Sequence, residues 1–142
     1  MIYLLDTDHL SEVVRESVPG QRLEMKLADL DEFDQVASSI VTFEEMLRGW
    51  LAEIHGTKKA KSQVPLYEKL FEVLDSFKKW TVFEWDDKSA EVYEALVKPR
   101  LGVKTMDLKI AAIAIQNDAT LLSRNLKDFV RVPGLVVEDW LS

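Results

Sequence analysis

Residues 2–8, Ile2-Tyr3-Leu4-Leu5-Asp6-Thr7-Asp8, decide how the rest of the chain is read. Four apolar or aromatic residues run without a break into one carboxylate, and a second carboxylate follows two positions on. A short continuous apolar run bounded by a polar residue reads as a buried strand. The HLSEVVRE stretch after it has helical spacing, and Pro19-Gly20 is expected to stop that helix. Leu23, Leu27, Leu30 and Phe33 then recur at helical intervals and predict a second helix over 21–33. VASSIVT, 36–42, predicts a second strand, and TFEEMLRGWLAEI the helix after it, with Gly56 as its stop. Pro65 suits the first turn of a long helix over 64–80. TVFEW is the third strand, and DKSAEVYEALVKPR the helix that follows, ending near Pro99. LGVKTM reads as a loop before DLKIAAIAIQN, a helix apolar nearly all round and therefore buried. ATLLS is a short buried strand, NLKDF a turn, and LVVEDW a last short strand or extended end.

Short buried strands alternating with helices predict an α/β fold. The expected architecture is one domain over 1–142, a central parallel sheet of about four to five strands with helices on both faces. In such open sheets, function sits beyond the carboxyl ends of the strands. Asp6 stands at one such end and Ser123-Arg124-Asn125 at another.

Composition narrows the classes. The chain has 142 residues, enough to bury a core without covalent staples. It has no cysteine, which excludes a disulfide framework and a thiolate metal site and fits a reducing, cytoplasmic setting. No apolar run approaches the ~18 residues needed to span a bilayer, so no membrane partner is expected. The net charge of -7 argues against a general nucleic-acid coat. The charge is uneven: residues 24–45 are acidic, whereas Lys98, Arg100, Lys104, Lys109, Arg124, Lys127 and Arg131 dominate 98–131. Faces of opposite sign leave room for an anionic substrate.

The acids at element ends each have an ordinary structural role. Asp6 or Asp8 suits the N-cap of the first helix, and Asp107 the N-cap of the apolar one. Thr42 and Glu45 have the spacing of a capping box. Asn125 and Asp128 are turn residues. Taken together, however, acids at the ends of successive strands converge on one crevice, and a hard divalent ion takes oxygen ligands of this kind. His9 and His55 are the only histidines and neither shows a partner in the sequence.

YLLDTDHLS, TFEEMLRG, TMDLKIAAIAI and LLSRNLKDFVRVPGL together resemble the PIN domain, the metal-dependent ribonuclease fold, in its VapC-like toxin branch. The family's first aspartate is matched by Asp6. Its Thr-x-x-Glu-x-x-x-Gly pattern is filled by Thr42, Glu45 and Gly49, and its Asp-Leu-x-Ile-Ala-Ala helix is opened by Asp107. At the fourth position, Asn125 replaces the acid of some members, and Asp128 stands nearby to supply the charge. The resemblance implies Mg²⁺- or Mn²⁺-dependent cleavage of RNA, with Asp6, Glu45 and Asp107 as metal ligands. Asn125 or Asp128 would orient a water or help hold a second ion. It also implies a cognate antitoxin and a homodimer. Lys104, Lys109, Arg124 and Lys127 are candidates for phosphate contacts, and Asp8 is assigned to the helix cap.

Two rivals remain at this stage. A haloacid-dehalogenase-like phosphatase would use Asp6 as nucleophile, with Asp8 as general acid and Asp86-Asp87 as its later acidic pair. A non-catalytic binding module would use apolar surface near Trp50, Phe71 or Trp80, its acids merely capping helices.

Overall fold

The computed structural model describes all residues, Met1–Ser142. Its elements run β1 (Ile2–Leu5), α1 (Thr7–Val14), α2 (Val18–Ala28), β2 (Gln35–Ser39) and α3 (Ile40–His55). After a 3-10 turn at Lys61–Gln63 come α4 (Val64–Lys78), β3 (Thr81–Phe83) and α5 (Asp87–Val97). The chain closes with α6 (Thr105–Gln116), β4 (Ala119–Leu122), α7 (Leu126–Phe129) and β5 (Val136–Glu138). All five strands pair in parallel, in the order β3-β2-β1-β4-β5. The predicted α/β class and parallel sheet are therefore present. No helix is long and apolar enough to cross a membrane.

Strand alternation divides the core between the two faces of the sheet. Leu4 and Leu121 point to one side, where they pack with Ala37, Leu96 of α5, and Leu108 and the apolar run Ile110–Ala114 of α6. Leu5 and Leu122 point to the other, against Leu10 and Val13 of α1, Leu23 of α2, and Val73 and Phe77 of α4. Burial on both faces explains why β1 and β4 read as continuous apolar runs rather than alternating ones. Ile110 to Ala114 of α6 are fully buried, as the apolar reading of that helix requires.

Several boundaries differ from the sequence expectation. Pro19 does not stop a helix; it occupies the first turn of α2, where its missing N–H costs nothing. Ser17 is the cap there, its hydroxyl accepting from the Gly20 N–H at 3.0 Å. β2 ends at Ser39, not at residue 42, because the Ser39 hydroxyl caps α3 by accepting from Thr42 N–H at 3.1 Å. The capping box expected of Thr42 and Glu45 is thus absent, and Glu45 is free for other contacts. NLKDF forms the short helix α7 rather than a plain turn.

Gly20 lies where α2 meets the backbone of α1 closely. A Cβ at that position would lie 2.0 Å from the Glu12 carbonyl oxygen and 2.5 Å from its carbon, both backbone atoms. Gly20→Ala is therefore expected to force α1 and α2 apart and to cost about 3 kcal/mol. A fall in the urea midpoint at unchanged slope checks this; an unaltered midpoint would show that the helices separate freely.

Candidate functional site

The strand order reverses between β1 and β4, since β2 and β3 extend the sheet on one side and β5 on the other. Such a switch point opens a crevice at the carboxyl ends of the two strands. The Asp6 N–H donates to the Leu122 carbonyl at 2.9 Å, carrying the ladder one residue past β1. Asp6 caps α1, its carboxylate accepting from the Thr7 N–H at 2.8 Å. Its other oxygen accepts from the Ser123 hydroxyl at 2.7 Å. Asp6 is only 6% exposed.

Four further carboxylates gather round it. Asp8 stands at the second residue of α1 and is not a cap, because Asp6 holds that role. Its Oδ2 accepts from the Arg124 N–H at 2.9 Å and faces the Ser123 hydroxyl at 3.3 Å. Glu45, more than one turn into α3, accepts from the Thr7 hydroxyl at 2.6 Å. Asp107 is the third residue of α6 rather than its cap; the cap position is Lys104, which makes no side-chain capping bond. The Asn125 amide donates to Asp107 at 3.3 Å and to Asp128 at 3.1 Å. The Asn125 N–H itself donates to the Ser123 hydroxyl oxygen at 3.0 Å. The predicted set Asp6, Glu45, Asp107, Asn125 and Asp128 is thus brought together. Asp8, Thr7 and Ser123 join it, and the sequence reading had not assigned them there.

The electrostatics are those of a concentrated negative charge. Burial, then the neighbouring Asp8 charge and more weakly Asp107, push the Asp6 carboxyl up to about 7 against the Ser123 and Thr7 donors. Asp107 is raised by burial and by the charges of Glu45, Asp128 and Asp8, with Lys104 opposing. Every direct hydrogen-bond donor to Asp6, Glu45 and Asp107 is neutral, so their charge is oriented but not cancelled. An all-oxygen, anion-rich and partly desolvated donor set fits a hard divalent cation such as Mg²⁺ or Mn²⁺. The three expected ligands do not form a ready-made cage, for no three acidic or histidine side chains close on one point.

The basic candidates divide. Lys104 is exposed and lies close enough to act on Asp107. Arg124 reaches toward Glu12, at 3.7 Å. Lys127 is exposed on α7. Lys109 lies over the Trp85 ring, 5.6 Å from its centroid, and is engaged in a cation–π contact instead. The acidic pair of the phosphatase reading is also placed. Asp86 caps α5 through Ser89 N–H and hydroxyl, both at 2.8 Å, and those bonds hold its pKa below the ordinary value. A helix cap explains Asp86 fully. Of the three aromatics proposed for a binding surface, Phe71 is 63% exposed, whereas Trp50 and Trp80 pack partly against the core.

The Asp6 shift carries a pH dependence. Between the ordinary 3.8 and about 7, the native state keeps a proton that the unfolded chain has released, so stability falls as pH rises through that window. In EDTA, Asp6→Asn should therefore be more stable than the wild type above about pH 7, by something on the order of 4 kcal/mol at about 1.4 kcal/mol per pH unit. The difference should close toward about pH 4. Urea midpoints of both proteins across that range measure it; a constant difference would mean that Asp6 titrates normally.

The chain and its fold are similar to known proteins. A model of the PIN domain matches residues 3–135. Ribonuclease VapC2 of Rickettsia felis is 26% identical over 140 residues, covering 99% of this chain and 98% of that one. In structure, the chain is similar to VapBC-1 from nontypeable Haemophilus influenzae, with a TM-score of 0.78, 20% identity and full coverage of both chains. FitAcB from Neisseria gonorrhoeae is also similar, with a TM-score of 0.66 and 27% identity over 99% of this chain and 98% of that one. With the family match running from the first strand almost to the last, the chain belongs to the PIN domain family.

Proposed function

We propose that this chain is a divalent-metal-dependent endoribonuclease, the toxin of a toxin–antitoxin pair. The observation that carries the reading is the gathering of Asp6, Asp8, Glu45, Asp107 and Asp128 at one switch point, with Asp6 buried and no cation directly bonded to Asp6, Glu45 or Asp107. Folding five carboxylates together is unfavourable unless something cationic uses them. Full-length similarity to a protein named as a ribonuclease supports RNA as the substrate.

Asp6, Glu45 and Asp107 are the residues that would hold Mg²⁺ or Mn²⁺. Such an ion, when bound, supplies a water of lowered pKa and neutralises charge at the scissile phosphate. The remaining steps belong to the protein. Ser123 and the Thr7 N–H hold Asp6, and the Thr7 hydroxyl aims Glu45. Asn125 keeps Asp107 and Asp128 apart at a fixed spacing by giving each one N–H. It does so without adding a sixth charge, which is why an amide serves at this position. Lys104, Arg124 and Lys127 are assigned to the RNA backbone, where they offset a chain of net charge -7.

An antitoxin partner is supported by structural neighbours described as toxin–antitoxin proteins, among them a complex from Klebsiella pneumoniae. Tyr67, Phe71 and Leu74 of α4 are exposed and, with Phe43 and Leu47 of α3, line an apolar hollow of about 320 Å³. An exposed apolar surface of this kind suits the nonpolar side of an antitoxin helix. A homodimer and a cytoplasmic setting complete the reading.

Two measurements test it. Pure protein with Mn²⁺ should cut a mixed RNA pool, and EDTA or Asp107→Asn should reduce cutting to background. A hundredfold excess of Mn²⁺ over its Kd should also stabilise the wild type by about 2.7 kcal/mol, equivalent to about 5–10 °C in Tm, but leave Asp107→Asn nearly unmoved. RNA left intact by folded wild-type protein, with no thermal response to Mn²⁺, would sink the nuclease reading.

A further inference from the structure

His9 is fully buried, although the sequence offered it no partner. Both ring nitrogens are in fact used. Nε2 accepts the Trp140 backbone N–H at 3.1 Å, and Nδ1 lies 2.7 Å from Asp8 Oδ1. A nitrogen that accepts an N–H carries its lone pair there, so the ring proton sits on Nδ1 and is donated to Asp8. The Asp139 carboxylate is 3.7 Å from Nε2, too far for a hydrogen bond, and its oxygens take the Leu141 N–H at 2.9 Å and the Ser142 hydroxyl at 2.5 Å. Geometry therefore leaves one tautomer, and a backbone group near the C-terminus selects it.

Asp8 in turn is gripped from two directions. His9 holds Oδ1, while the Arg124 N–H and Ser123 hydroxyl face Oδ2. The same Ser123 hydroxyl binds Asp6. A continuous path of hydrogen bonds thus runs from the C-terminal segment through His9 and Asp8 to the turn after β4 and on to the buried acid. The segment is itself anchored. The Trp140 ring packs on Tyr3 of β1 with centroids 4.9 Å apart, its indole N–H donates to Glu138 at 3.2 Å, and its carbonyl accepts from Lys26 at 3.0 Å.

We propose that His9 is a positioning residue, which in its Nδ1–H form fixes the Asp8 carboxylate against the turn after β4 and so tunes the cation affinity of the acid cluster. This rests on the reading of that cluster as a divalent-metal site. Asp8 is 30% exposed on the rim of the cluster, and at the start of a helix its side chain has no other restraint on Oδ1. A packing role alone would be met by any apolar residue of similar size. The directed N–H toward a carboxylate is what an apolar residue cannot supply. A partner bonded directly to a metal ligand is typically worth about 10- to 100-fold in metal affinity; His9 acts through Asp8 and Ser123, one step further out, so the low end of that range, about tenfold, is expected.

The test separates the two faces of the imidazole. In His9→Asn, the side-chain amide sits where Nδ1 was and keeps the donor to Asp8. In His9→Gln, the amide oxygen reaches the Nε2 position and keeps the acceptor for Trp140, but the donor to Asp8 is lost. His9→Phe removes both. Mn²⁺ affinity is read by calorimetric titration, urea midpoints report stability, and ¹⁵N spectra of the imidazole report the tautomer. The expected result is an Nδ1-protonated ring in the wild type, Mn²⁺ affinity near the wild-type value in Asn, and affinity weakened about tenfold in Gln and Phe. Equal affinity in Asn and Gln, or losses that simply follow the urea midpoints, would overturn the proposal and leave His9 a packing residue. An Nε2-protonated ring would overturn it as well. A wild type that binds no Mn²⁺ would instead remove the metal-site reading on which it stands. The Asn and Gln pair keeps the comparison decisive even where the Phe variant does not fold.

Discussion

The pairing of β1 with β4 is the constraint on which the rest of the site depends. These strands are more than a hundred residues apart in the chain, yet they lie in register from Ile2 opposite Ala119 to Leu5 opposite Leu122. The ladder continues through the Asp6 N–H to the Leu122 carbonyl, so the Asp6 backbone is fixed at the point where its side chain leaves the sheet. Ser123, next in the chain after β4, meets that side chain directly. Parallel pairing needs a crossover between neighbouring strands, and the intervening β2 and β3 go to the far side of β1. The crevice between the two halves is a consequence of that order.

Stability and function are supplied by different parts of the molecule. Two apolar layers, one on each face of the sheet, hold β1 and β4 in place with side chains such as Leu4, Leu5, Leu121 and Leu122, all fully buried. At the ends of the same strands, the protein gathers carboxylates round one crevice, with Asp6 buried among them. Neutral donors orient them: Thr7, Ser123 and Asn125 give hydrogen bonds but no charge. A cationic donor such as arginine in their place would have satisfied the acids permanently and lowered their pKa values. The site is thus left electrostatically unsatisfied by construction, at a cost that the apolar layers absorb.

Much of this was legible in the chain. The apolar runs of β1 and β4 and the buried character of α6 followed from pattern alone. Asp6, Glu45, Asp107 and Asn125 were singled out by resemblance to the family's motifs, and the fold brings them into one crevice. The misreadings have physical causes. Pro19-Gly20 serves equally well as a stop or as the first turn of a new helix, and only the close approach of Gly20 to Glu12 decides between them. Thr42 and Glu45 have capping-box spacing, but Ser39 captures the Thr42 N–H and starts the helix earlier. Asp8 is an acceptable cap by composition, yet Asp6 already holds the N-terminus of α1.

The sequence by itself determined which segments are strands or buried helices and which acids stand at their ends, because periodicity, capping and turn chemistry act over a few residues. Only the tertiary structure decided that Asp8 belongs with Asp6, that Lys109 turns to Trp85, and that His9 has a partner on each nitrogen. Those outcomes rest on contacts such as Trp140 N–H to His9, 131 positions apart, and Arg124 N–H to Asp8, 116 apart. Directed hydrogen bonds of that span leave no local pattern in the chain. They exist once strand order has brought their partners within 3.1 Å or less of one another.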